Sequence, residues 1–201
     1  MTDDRVLNAY SARAAEYASV LGSIEDTHEL DRIRIERWAK QISGPVLDAG
    51  CGPGHWTDFL HKRGVNISGV DLVPEFIESA RSRFPEASFR VSSVRALDLA
   101  DGSVGGVLAW YSLIHLAPSE LPQVLVEFRR VLRPRGHLLV GFFEGGANEL
   151  LDHAITKAYC WSVHWTSELL QDAGFEVLDI ETRQDHGSRP HAAVAAIARN
   201  A

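Results

Sequence analysis

The chain has 201 residues, of which 45% are hydrophobic and 23% charged, a composition that suits a single globular domain with a sizeable core. A formal charge of −7, with no run of Lys or Arg, argues against a nucleic-acid partner, whose phosphates need clustered cations. Two cysteines, Cys51 and Cys160, are too few for a disulfide framework, and no apolar run approaches the roughly 18 residues that cross a bilayer.

The N-terminal stretch MTDDRVLNAY lacks the apolar core of a signal peptide, so a cytoplasmic protein without membrane contact is expected. Val6 to Val20 is predicted helical, with Asp3 and Asp4 at its positive end. A break at Leu21-Gly22-Ser23 precedes a charged helix over Glu25 to Gln41, which Ser43-Gly44-Pro45 stops. Strands are then expected at Pro45–Gly50, Asn66–Leu72, Ala87–Ser93, Val104–Tyr111, His137–Phe143, Phe175–Arg183 and His191–Arg199. Most are continuous apolar runs, as in strands buried on both faces of a parallel sheet. Helices are expected at Trp56–Arg63, Pro74–Phe84, Pro118–Leu132 and Ser167–Ala173, the last with a cap at Trp165-Thr166-Ser167. This alternation predicts a doubly wound, Rossmann-like α/β fold: a three-layer α/β/α arrangement around a seven-stranded mixed sheet. The closing strand–loop–strand, with no helix between, supplies one antiparallel C-terminal strand.

The segment VLDAGCGPGHW, Val46 to Trp56, places glycines at 50, 52 and 54 immediately after the first strand. A dinucleotide turn needs GxGxxG, but the third position is His55; a Walker loop needs Gly-Lys-Ser/Thr, but the turn ends Gly54-His55-Trp56. Asp48 just ahead of the turn repels a pyrophosphate and welcomes a cation. Asp71, at the tip of the second strand, is placed to accept hydrogen bonds from a ribose diol. A close-approach turn, a ribose acid and no phosphate clamp suit a nucleoside with a cationic tail, the character of S-adenosylmethionine.

With these residues the chain resembles the class I S-adenosylmethionine-dependent methyltransferases of the small-molecule type. VLDAGCGPG looks like their first motif, DLVPEFIESAR like their second, and LRPRGHLLV like the lead into strand five. AYSARAAEY resembles the N-terminal helix that lids the cofactor. The resemblance implies that Gly50, Gly52 and Gly54, with Cys51 among them, let the backbone approach the methionine part, while Asp48 sets the local charge. It implies that Asp71 holds the ribose diol, that Leu72 packs on the adenine face, and that Ser93 and Val94 flank the adenine edge. The family's usual Asp is replaced by Ser93 here, and another by Gly106 in strand four. It also implies S-adenosylhomocysteine as product and one domain over residues 1–201: a lid at 1–43, a core at 44–201 and a substrate-loop insertion at 144–165.

Several residues remain open between site and scaffold. Trp56 and Thr57 suit cofactor contact or ordinary packing and capping. Tyr10, Arg13 and Tyr17 share a helical face, so Tyr10 or Arg13 can meet the cofactor carboxylate and Tyr17 the substrate, or the face packs on the sheet. In AWYSLIHLAP, Trp110 and Tyr111 offer aromatic faces to a sulfonium, and His115 is placed to take a substrate proton or to serve as a structural histidine. Tyr111 and His115 are the catalytic candidates. Tyr159, Trp161 and His164 are candidates for a substrate wall, and His186, Arg189 and His191 lie on a loop at a sheet end. No His pair has metal spacing with a third ligand, so no metal is expected. The expected function is methyl transfer to an N, O or C nucleophile of a small molecule, by a monomer or homodimer. The alternative is a catalytically silent S-adenosylmethionine-binding protein that senses or scaffolds. An aminopropyl transferase fits less well, because the strand-four edge is apolar and aromatic.

Overall fold

The computed structural model describes residues 2–14, 22–146, 149–151 and 157–200. Helices α1 (Thr2–Ser11) and α2 (Glu29–Ala39) precede strand β1 (Val46–Ala49). Then come α3 (His55–His61), β2 (Ile67–Asp71), α4 (Pro74–Arg83), β3 (Ser88–Val91) and β4 (Val104–Trp110). Two 3-10 turns, Leu113–His115 and Pro118–Glu120, lead to α5 (Leu121–Val131) and β5 (Leu132–Phe143). A hairpin of β6 (Glu149–Leu151) and β7 (Ala158–Cys160) is followed by α6 (Val163–Asp172), β8 (Phe175–Arg183) and β9 (His191–Ala198).

Seven strands form one sheet in the order β3-β2-β1-β4-β5-β9-β8. β1 to β5 run parallel, and only β9 opposes its neighbours β5 and β8, as expected of the helix-free closing segment. Alternate side chains feed two cores. Leu47, Val107, Ala109, Leu138 and Val140 pack with Val124, Phe128 and Leu170 of α5 and α6. Val46, Leu108, Leu139 and Ala193 pack on the other face with Ile35 and Trp38 of α2 and Phe59 and Leu60 of α3. Helices on both faces explain why the central strands read as unbroken apolar runs. The edge strand β8 keeps Glu176, Asp179, Glu181 and Arg183 along its length, charges that discourage pairing with another chain.

Element ends differ from expectation where caps decide them. α1 starts at Thr2 rather than Val6 and gives way to a turn after Ser11; residues 15–20 of the expected helix lie outside the described residues. α2 starts at Glu29 rather than Glu25, because the ring of His28 accepts the Leu30 N–H at 3.1 Å. The helix expected from Pro118 begins as a 3-10 turn in which Glu120 Oε2 takes the Ala117 N–H at 2.7 Å, and α5 follows at Leu121. α6 starts a turn earlier than expected: Ser162 Oγ, not Trp165-Thr166-Ser167, caps it by accepting the Trp165 N–H at 3.2 Å. The span 144–165 is therefore not one loop; its described residues include the hairpin and the first turn of α6.

Candidate active site

β1, β2 and β4 end side by side, and the chain turns there three times. At Gly50 a side chain is sterically barred: a Cβ there would lie 2.3 Å from Ser112 Cβ. The Gly50 and Cys51 N–H groups both donate to Val70 O, at 2.8 and 2.9 Å, which folds the turn back over β2. Gly52 has φ +53 and nothing within 4 Å of its missing Cβ, so the outer face of the turn is open. Its N–H donates to Asp71 Oδ2 at 2.9 Å, while the Val73 N–H donates to Asp71 Oδ1 at 2.9 Å. One carboxylate thus pins both the glycine turn and the start of α4. Each Asp71 oxygen keeps acceptor capacity, and burial pushes its carboxyl above the usual range.

Beneath the turn, Asp48 is almost wholly removed from water and takes a 2.7 Å hydrogen bond from Thr57 Oγ1. Burial, reinforced by the nearby Asp71 charge, raises its carboxyl to about 7. Thr57 is itself buried, so it acts through Asp48. The Cys51 thiol points into an apolar cluster with Ile77, Ala80 and Phe89, and burial raises it well above its ordinary value. Leu72, Ser93 and Val94 are half-buried. Ser93 Oγ accepts the Arg95 N–H at 3.3 Å, and Val94 packs against the larger core.

The end of β4 supplies aromatic walls. The Trp110 ring stands edge-on to Trp56 at 6.2 Å and to Tyr111 at 5.6 Å. Tyr111 has φ 54, an uncommon conformation for a bulky residue, and its phenol hydrogen-bonds His191 Nδ1. Ser112 Oγ is buried and has no hydrogen-bond partner among the described residues. His115 is buried, with Nδ1 3.0 Å from the Lys157 carbonyl and Nε2 2.7 Å from Tyr10 Oη. A carbonyl only accepts, so Nδ1 carries the proton and Nε2 accepts from Tyr10. Arg5 adds a 3.1 Å bond to the His115 carbonyl, and Tyr10 packs with Ala14, Val73 and Phe76. In this way α1 is fastened across the end of β4 and the start of α4.

The expected substrate wall is reduced. The Trp161 ring is a core residue, 1% exposed and packed on Phe142 and Trp165. His164 points to solvent, its side chain 86% exposed beside Glu168. Neither presents a face to an enclosed substrate. Tyr159 is half-buried on β7, Arg13 is half-buried in the turn after α1, and Tyr17 lies outside the described residues. A shallow cleft, open to solvent, lies instead among Trp110, Tyr111, Asp31, Glu181, Arg183 and His191. The antiparallel run of β9 brings His191 opposite Phe143, at the same sheet end as the glycine turn.

The family model of a methyltransferase domain matches residues 46–136. Over 150 residues the chain is 32% identical to a probable S-adenosylmethionine-dependent methyltransferase of Mycolicibacterium smegmatis, an alignment covering 72% of this chain and 57% of that protein. It is 28% identical, again over 150 residues, to a malonyl-[acyl-carrier protein] O-methyltransferase of Serratia marcescens, covering 74% of this chain and 56% of that one. The chain therefore spans little more than half the length of these relatives. A solved structure of a 1,6-didemethyltoxoflavin-N1-methyltransferase from Burkholderia thailandensis, with bound 1,6-didemethyltoxoflavin and S-adenosylhomocysteine, superposes with a TM-score of 0.70. That pair shares 25% identity over 93% of this chain and 91% of the other. The chain belongs to the class I S-adenosylmethionine-dependent methyltransferases.

The residues of this methyltransferase suit that family's cofactor. The open face over Gly52 admits a ligand against the backbone, Asp71 has lone pairs left for a diol, and Ser112 Oγ is a buried polar atom still lacking a partner. Trp110 and Tyr111 are partly exposed at this sheet end, whereas Trp56 is buried in the core against Phe59, so packing accounts for it. Among the described residues no group of three or more His, Cys, Asp or Glu side chains is arranged to hold a metal. No helix among them is long and apolar enough to cross a membrane. Ser112, Asp31, Glu181 and Arg183 escaped the sequence reading, since no local spacing marks them. His191 was visible there as a loop histidine, but the register of β9 decides which sheet end it occupies.

Proposed function

We propose that this methyltransferase binds S-adenosylmethionine at the Gly50–Gly54 turn, Asp71 and Ser112, and methylates a small-molecule acceptor beside Trp110 and Tyr111. The convergence of the open turn, the pinned Asp71 carboxylate and the unpartnered Ser112 hydroxyl at one sheet end carries this reading. When bound, the cofactor supplies a methyl group made electrophilic by its sulfonium and departs as a neutral thioether. Asp71 orients the ribose, Asp48 bonded to Thr57 ties the end of β1 to α3 beneath the turn, and α1 with Tyr10 excludes water from above. A small acceptor fits the net charge of −7 and the lack of a basic patch. The likeness to a protein named for methylating 1,6-didemethyltoxoflavin supports the same class.

A binding protein without turnover is the second reading, favoured by the engagement of both His115 nitrogens. Parallel calorimetric titration with S-adenosylmethionine, S-adenosylhomocysteine and NAD tests cofactor choice. Binding of both adenosyl ligands and not NAD is expected, and a preference for NAD would overturn the proposal. Methylation of any acceptor then excludes the silent binder.

A further inference from the structure

The cleft beside Trp110 carries a proton-accepting pair that His115 does not supply. Tyr111 is held in its left-handed conformation by its N–H bond to Gly141 O at 2.9 Å and by rings on several sides: Trp110 at 5.6 Å, Phe143 at 4.9 Å and His191 at 5.7 Å. Backbone strain of this kind collects where a side chain must be aimed, and here it aims the phenol at His191 Nδ1. Both groups line the cleft. His115, by contrast, has its lone-pair nitrogen occupied by Tyr10.

The charges around the pair select the acceptor. Arg183 faces it from β8 but is already paired with Asp31 of α2 at 2.8 Å and with Asp185 at 2.9 Å. Glu181 adds a further carboxylate to the wall, His28 lies 3.8 Å from Asp185, and Arg189 is held over the Phe143 ring. Of the residues that line the cleft, two are carboxylates, Asp31 and Glu181, the latter also 3.4 Å from Arg34, and one is a guanidinium, Arg183, a balance that disfavours a carboxylate or phosphate acceptor. Burial, with Arg183 second, lowers His191, so its imidazole is neutral near pH 7; burial keeps the Tyr111 phenol protonated. A neutral amine attacks through its lone pair, whereas a hydroxyl must lose its proton as it attacks, which is the work a phenol–imidazole pair performs.

Resting on the methyltransferase reading, we propose that this cleft receives a neutral hydroxyl acceptor of phenol or enol type, and that Tyr111 and His191 relay its proton. As the acceptor oxygen gains the methyl carbon, its O–H bond breaks toward Tyr111 Oη, and the Tyr111 proton passes to His191 Nδ1. The positive charge lost with the sulfonium reappears as imidazolium at His191, so charge balances.

The test uses protein labelled at histidine and followed by NMR, with phenol, aniline and benzoate as probes, and with S-adenosylhomocysteine affinity measured separately by calorimetry. Phenol is expected to shift the His191 signal, identified by its loss in His191→Gln, with or without S-adenosylhomocysteine; benzoate is expected to leave it in place. Tyr111→Phe, which meets the same backbone constraint, should abolish the shift and slow methylation of hydroxyl acceptors roughly a hundredfold. Its S-adenosylhomocysteine affinity should stay within about twofold. A His191 signal that phenol does not move, or that aniline or benzoate moves instead, overturns the proposal, as does wild-type turnover of a hydroxyl acceptor by His191→Gln. Absence of S-adenosylhomocysteine binding sinks the methyltransferase reading itself, an outcome separate from a silent His191.

Discussion

Asp48 is 2% exposed, and its carboxyl, raised from 3.8 to about 7 by burial, prefers the proton in the folded chain. Its contribution to stability is therefore whole below about pH 4 and is lost as pH rises through about 7. Asp48→Asn keeps an acceptor for Thr57 without the buried charge. It should stabilise the ligand-free protein at pH 8 by on the order of 1–3 kcal/mol relative to pH 5, read by urea unfolding at both pH values. An equal effect at both would show that the group ionises normally. Asp71→Ala should weaken S-adenosylhomocysteine binding by roughly 1–3 kcal/mol by calorimetry and also loosen the turn, since the Gly52 and Val73 N–H groups lose their acceptor. That Asp48, Asp71 and the glycines meet at one turn was legible in the sequence because β1, its glycine turn and β2 are adjacent elements of one strand–turn–helix–strand unit. Ser112 was not, because its meeting with Gly50 depends on how β1 and β4 lie together.

At the level of elements, α1 is joined to the sheet end largely through His115, which Tyr10 grips from one side and the Lys157 carbonyl from the other. Tyr10→Phe should leave the apolar contacts with Val73 and Phe76 but remove one buried hydrogen bond, about 0.5–1.5 kcal/mol. Amide exchange in α1 should then quicken by roughly 2- to 10-fold; unchanged exchange would assign the helix's attachment to its apolar packing and to the bonds of Arg5 and Ser11. The strands were nearly all readable from their apolar runs. The starts of α3 and α4 were readable to within a residue, but those of α2, α5 and α6 were not, because His28, Glu120 and Ser162 set them through single side-chain bonds that composition does not rank above their neighbours. The same gap sent Trp161 to the substrate wall: an aromatic in a long connection reads as a wall or as a plug until its packing on Phe142 is seen.

For the whole molecule, a ligand held by β1, β2 and β4 together ties the parallel strands to one another. At a hundred times its dissociation constant, S-adenosylhomocysteine should add about 2.7 kcal/mol, which for a chain of this size raises the melting midpoint by roughly 5–10 °C. A scan with NAD under the same conditions should show no rise. The position of β9 has a further bearing on how the protein is made. It follows β8 in the chain, yet it lies between β5 and β8. Until β9 leaves the ribosome, the apolar run Leu138–Phe143 stands with one edge unpaired, and β8 lacks the one neighbour it has among the described residues. Sheet assembly then waits on residues 191–198, and a chain cut short of His191 yields a substrate for chaperones and proteases rather than a smaller folded protein.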